Sequence, residues 1–256
     1  FRETGVGKKV VVKVANNPLC NHFLENESSH IQMMKDTFPH SESGRYFPTL
    51  LDSFSVSHNG DRVAVNVFEY LEGYYTLSDV IKMFRDAKIS IDMRSGAWMY
   101  NRILETLSHS GPLKVVHGGV HPENILLHPE SHRIVLTGWS SSVAIGDKVP
   151  YACSSYMFMY PEEVVGDKMK RQANLSTDLY LAACTIWYAL GGDVVKKTLP
   201  SNIPGEVRAF LDARLTPDIR LRDSVAIQQR DRFSGVLKGL YGPAKFHPFV
   251  LPISRR

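Results

Sequence analysis

Apolar and polar positions change their period partway along the chain. Residues 8–15 (KKVVVKVA) are a β-branched run after Thr4-Gly5-Val6-Gly7, a turn signal, so a strand is expected there with a preceding arm over Phe1–Thr4. From Pro18 to Asp36 the spacing turns helical: Leu24, Ser28, Ile31 and Met34 fall at three- and four-residue steps, and Pro39 closes the run. TLLDSFSVS (49–57) and DRVAVNVFEYL (61–71) return to strand character, joined through His58-Asn59-Gly60, where Asn-Gly favours a tight hairpin. Beyond Glu72-Gly73 helices dominate. TLSDVIKMFRD opens on a Thr-x-x-Asp capping box, and 92–111 carries Ala97, Tyr100, Ile103, Leu104 and Leu107 before Gly111. Two short strands come next, NILLH and RIVLT. Residues 176–191, opening on a capping signal at Ser176-Thr177-Asp178, form a nearly all-apolar helix, and further helices are expected at 204–214 and 218–240. A small sheet with one helix, then a helical body, predicts an α+β chain of two lobes: 1–73, a partial first lobe ending in a connector at Glu69–Gly73, and 74–256, together one domain.

Composition narrows the class without naming it. The 256 residues are 43% hydrophobic and 22% charged, enough apolar material for a sizeable core and too much for a disordered chain. Net charge is +4 with Lys and Arg scattered, so the concentrated basic stripe of a nucleic-acid binder is missing. The longest apolar stretch, YLAACTIWYAL at 180–190, is too short to span a bilayer, so a soluble protein with no membrane partner is expected. Cys20, Cys153 and Cys184 are odd in number, far apart and lack metal-ligand spacing. Neither a disulfide framework nor a metal site is expected, and a cytoplasmic or other reducing compartment fits.

One stretch carries the chemistry: KVVHGGVHPENILLHPESHRIVLTGWSSS, residues 114–142. With VVVKVA, VFEYLEG, YPEEV, STDLYLAACTIWYALGG and LTPDIRLRD, it resembles in order and spacing the landmarks of the eukaryotic-type protein kinase family, over nearly the whole chain. The resemblance implies the two-lobed protein kinase-like fold, with an N-lobe expected to be incomplete at its start: the family's glycine-rich phosphate loop would lie ahead of Phe1 or be lacking altogether. It puts Lys13 at the phosphate-anchoring lysine, with Glu27 as its helix partner and Glu25 as second choice. The hinge backbone near Glu69–Leu71 would take the adenine, and His117, Asp178 and a buried Glu162–Arg222 ion pair would brace the loops as architecture.

The same resemblance exposes a deficit. In the family an Asp of the catalytic loop accepts the substrate hydroxyl's proton, an Asn five residues later holds magnesium, and the Asp of Asp-Phe-Gly holds the ion that bridges the phosphates. Here Asn124 is present, but Gly119 stands five residues before it, and Gly138, Trp139 and Ser140 replace Asp-Phe-Gly. Magnesium wants charged oxygens, so no metal is expected at these positions. What the resemblance leaves as residual catalytic candidates are His121, Glu123 and Asn124. Glu123 would be a substitute carboxylate whose side chain is expected to point elsewhere, and Asn124 either serves nucleotide or metal binding or braces its own loop. His121, at the catalytic-loop lysine position, either meets a phosphate or packs.

These residues lead to the expectation of a pseudokinase: a binding or scaffold module whose partner is another protein or another domain of its own polypeptide. ATP would be bound weakly and without magnesium, or not at all. The alternative is an atypical ATP-dependent serine/threonine kinase or other phosphotransferase using a rearranged site. In a third reading Trp139 fills the cleft. The aromatic, proline-rich tail at 237–252 is expected to pack back on the helical lobe.

Overall fold

The computed structural model describes residues 7–38, 46–58, 60–167 and 172–252; the arm expected over Phe1–Thr4 and the hairpin tip at Asn59 lie outside them. The first layer is a three-stranded antiparallel sheet, β1 (Val10–Val14), β2 (Leu50–His58) and β3 (Asp61–Glu69), in the order β1-β3-β2. A single 3₁₀ turn at Pro18–Cys20 leads into α1 (Asn21–Thr37), which buries Glu27, Ile31 and Met34. Two asparagines tie this helix to β3. The Asn21 carboxamide behaves like a strand residue, donating to Arg62 O at 2.9 Å and accepting from Ala64 N at 2.8 Å. Asn66, fully buried, donates to Leu24 O at 2.9 Å and accepts from the Ser53 hydroxyl at 2.9 Å, so its polar atoms are satisfied within the layer.

The second body begins with β4 (Tyr75–Thr76) and α2 (Leu77–Asp86), whose first turn is capped by Thr76 accepting from Asp79 N. Next is α3 (Met93–Ser110), capped by Asp92 accepting from the amides of Arg94 and Ser95. Then come β5 (Val115–Val116), β6 (Ile125–His128), β7 (Arg133–Leu136) and β8 (Val143–Ala144), forming a β4-β6-β7 sheet and a β5-β8 pair. A short α4 (Glu162–Val165) precedes α5 (Leu175–Ala189), α6 (Gly205–Asp212) and α7 (Ala226–Tyr241). α5 is buried along most of its length, which is why its sequence lacks a polar stripe. Gly96 lets the start of α3 approach its end, since a Cβ there would press into Leu190. This is the two-lobed α+β arrangement expected from the sequence. No helix among the described residues is long and apolar enough to cross a membrane.

Two boundaries differ from expectation. The cap of α5 is Asn174, not Ser176: Asn174 Oδ1 accepts from Ser176 N and Thr177 Oγ1 accepts from Asn174 N, which leaves Asp178 free to face inward. Residues 218–240 are not one helix either. A 3₁₀ turn at Ile219–Leu221 ends in extended backbone at Arg222, and α7 starts only at Ala226. The extended residue lets the Arg222 guanidinium reach the carbonyls of Thr216 and Pro217.

The tail packs back on the helical body. Phe249, 7% exposed, stacks on Phe84 at 5.6 Å and meets Trp98 edge-on, while His247 reaches Asp92 at 3.1 Å. Phe246 lies over His132 yet stays 67% exposed. Phe249→Ala is therefore expected to lower unfolding free energy by about 3 kcal/mol, and Phe246→Ala by less than about 1 kcal/mol, both measured by denaturant titration.

Candidate functional site

A cleft of about 260 Å³ opens between the sheet and the helical body, lined by Val11, Lys13, Phe68, Glu69, Tyr70, Leu71, Leu126 and Thr137, among others. Lys13 sits in β1 with its ammonium 2.6 Å from Glu27 Oε1. Glu27 is fully buried on α1, whereas Glu25 faces solvent. The pair thus holds a buried carboxylate by a cation at the cleft wall, and Glu27 without Lys13 would be a buried charge left uncompensated.

The loop 117–124 lies against Thr137, which lines the cleft. Asp178, at the start of α5, accepts from the backbone N–H of His117 at 2.7 Å and of Gly118 at 2.9 Å. Burial pushes this carboxyl up to about 7, against the pull of the two amides, which favour the charged form. Gly119 N–H donates to His117 Nδ1 at 3.1 Å, so the ring hydrogen is on Nε2 and is donated to Thr137 O at 2.8 Å. Burial drives His117 down to about 3, and the ring stays neutral. From α5, the Thr185 hydroxyl adds a bond to Val120 O at 2.8 Å.

Asn124 is folded into the same loop. Its Nδ2 donates to Gly119 O at 2.9 Å and lies 3.1 Å from His121 Nε2, while its backbone carbonyl accepts from Thr137 N at 2.8 Å. The carboxamide lies directly against Gly138, whose φ is +79° and where a Cβ would run into it. A Cβ at Gly119 would be squeezed between Ser141 Oγ and Asn124 Nδ2. Glu123 is exposed and accepts from the Cys153 thiol at 3.5 Å; neither residue lines the cleft. His121 is packed rather than presented: it is 5% exposed, stacks on Tyr156 at 5.3 Å and is driven by burial down to about 4. Magnesium requires anionic oxygens around it. The floor offers one engaged carboxamide and the Thr137 hydroxyl, itself donated to Asn124 O at 3.2 Å, so these residues do not fit that ion.

Trp139 does not fill the cleft. Its indole is fully buried below the floor, between His117 at 4.5 Å and Phe47 at 5.5 Å, with Nε1 donating to Leu136 O at 2.7 Å. The turn that carries it is latched to α1: Asn26 Nδ2 donates to Ser142 O at 2.8 Å and Ser140 O at 3.3 Å, and the His30 ring meets the Ser142 hydroxyl at 2.8 Å. No local pattern announces this latch, because its partners are more than 110 residues apart.

The expected Glu162–Arg222 pair is corrected by one residue. Arg222 pairs with Glu163, whose carboxylate also accepts from the Thr177 hydroxyl at 3.1 Å, and the guanidinium lies over Tyr180. On the single turn of α4, Glu163 faces α5 and Glu162 faces solvent.

No family model matches this sequence, and no curated protein does. Among solved structures, the ROP18 kinase domain in complex with AMP-PNP and sucrose is similar, with a TM-score of 0.65, over 91% of this chain and 74% of that chain, at 16% identity. The fold is protein kinase-like. In this kinase-like frame Lys13 lines the sheet side of the cleft, and the loop 117–124 lies against Thr137 on the helical side, with Gly119 and Gly138 both beside the Asn124 carboxamide.

Gly138→Asp is expected to cost roughly 1–3 kcal/mol in denaturant unfolding, from left-handed backbone and collision with Asn124, and to confer no phosphoryl transfer. His117 yields a pH test. Its folded value lies below its unfolded one, so its contribution is present above pH 6.5 and is lost as pH falls toward about 3. Between pH 7 and pH 5 the wild type should lose about 2 kcal/mol relative to His117→Gln; the difference between the two proteins cancels the opposing slope of Asp178. Equal pH slopes would show that His117 titrates normally.

Proposed function

We propose that this chain is a catalytically inactive protein kinase-like domain, a pseudokinase, that works as a binding or scaffold module for another protein or another domain of its own polypeptide. The carrying observation is the contact of Asn124 with Gly138: the carboxamide occupies the space a metal-binding aspartate would need, and its amide is engaged by Gly119 O. Proton abstraction has no acceptor at Gly119 either, and Glu123, the adjacent acid, turns to Cys153.

Nucleotide binding, weak and without magnesium, is part of this reading. Lys13 supplies a cation for phosphate, the backbone at Glu69–Leu71 supplies an edge for adenine, and the similar ROP18 kinase domain was solved with AMP-PNP. The formed Lys13–Glu27 pair also favours a second reading, an atypical ATP-dependent kinase or other phosphotransferase using a rearranged site.

Thermal-shift titration with ATP, with and without magnesium, separates them when paired with γ-labelled ATP and a protein acceptor. The expected result is a small stabilisation, equal in both conditions and lost in Lys13→Ala, with no label transferred. No shift in either condition is the nucleotide-free form of the same module. Magnesium-dependent stabilisation with transfer abolished by Lys13→Ala would overturn the proposal.

A further inference from the structure

A second set of donors converges outside the cleft. A ring nitrogen of His121, a carboxylate oxygen of Glu123 and Cys153 Sγ lie within 4.8 Å of one another. The Cys153 sulfur is already 3.5 Å from Glu123 Oε2, matching the roughly 3.5 Å edge of a tetrahedron with Zn–S near 2.3 Å and Zn–O near 2.0 Å. His121 is 5% exposed, and its Nδ1 is sealed from solvent with no hydrogen-bond partner. Such an atom calls for an explanation, since buried polar atoms are nearly always paired. The other nitrogen, Nε2, is the one beside Asn124. Stacking on Tyr156 fixes the ring, and Cys153 N–H donates to the Tyr160 hydroxyl at 3.3 Å, so both ends of the cluster are held by the same aromatic stretch.

We propose that His121, Glu123 and Cys153 bind a zinc ion, with the fourth position open to water, and that the ion clamps the segment around Cys153 to the loop beneath the cleft. Imidazole and thiolate select zinc over magnesium, which prefers oxygen alone. Binding replaces the thiol hydrogen by the metal and releases one proton to solvent, with no change in oxidation state. Coordination through Nδ1 leaves the ring hydrogen on Nε2, so the bond from Asn124 Nδ2 to that nitrogen is given up while its bond to Gly119 O is kept. The exposed Glu123 and the irregular backbone at Cys153 allow the contraction of about 1 Å that closes the shell. The site is independent of whether the cleft takes nucleotide.

Cobalt(II) added to metal-free protein is the probe. One equivalent should give a thiolate-to-cobalt charge-transfer band, displaced by zinc, absent in Cys153→Ser and retained in Cys20→Ser. Glu123→Gln should weaken zinc binding by about tenfold or more, and zinc should raise the melting temperature of the wild type but not of Cys153→Ser. Absence of the band, its survival in Cys153→Ser, or unchanged affinity in Glu123→Gln would each overturn the assignment.

Discussion

A carboxylate removed from water must be satisfied by the protein around it, and Asp178 is satisfied by two consecutive amides of one loop. That single constraint sets the path of the cleft floor. With the amides of His117 and Gly118 aimed at α5, the His117 ring is turned to bridge Gly119 N–H and Thr137 O, which joins the loop to the strand end beyond β7. Trp139 then packs under the ring and Phe47 under Trp139, so the anchor is passed from the helical body toward the sheet. Removing the anchor would leave two buried amides without an acceptor, a larger penalty than the loss of one favourable contact.

Around this anchor, pairs that are distant in sequence tie the elements to one another. Lys13 meets Glu27, Arg222 meets Glu163, and α1 is latched through Asn26 and His30 to the turn at 139–142. At the centre the two glycines are not empty places awaiting an acid. Asn124 has closed over Gly138, and the space at Gly119 is shared by Asn124 and Ser141. A left-handed glycine and a neighbour that fills its Cβ position act together, so introducing a carboxylate demands changes at more than one residue.

The two faces of the loop therefore differ in donor chemistry. On the side of Thr137, which lines the cleft with Lys13, the Asn124 carboxamide is already bound to Gly119 O and the Thr137 hydroxyl to Asn124 O. Such a surface suits an anion without a divalent ion. On the other side its imidazole and carboxylate, from His121 and Glu123, meet the thiol of Cys153. Lack of charge and prior engagement of the donors rule magnesium out on the first side, and the softness of imidazole and thiolate suits the second to zinc.

Residue patterns alone determined much of the architecture. The β-branched run at 8–15, the hairpin strands, the Thr76 and Asp92 caps and the all-apolar α5 arise from local steric and hydrogen-bonding preferences, which act within a few residues. The glycines at 119 and 138, and the choice of Glu27 over Glu25, were also legible, the latter because Ile31 and Met34 come after it at core-facing steps. Tertiary structure decided the rest. Whether Glu162 or Glu163 meets Arg222 depends on how one helical turn is rotated against α5, a matter of a single residue that periodicity over four residues cannot resolve. The burial of Trp139 below the floor, the Asn26 latch and the meeting of His121 and Glu123 with Cys153 join residues far apart in the chain. Their geometry is set by packing between segments, and no short-range pattern encodes it.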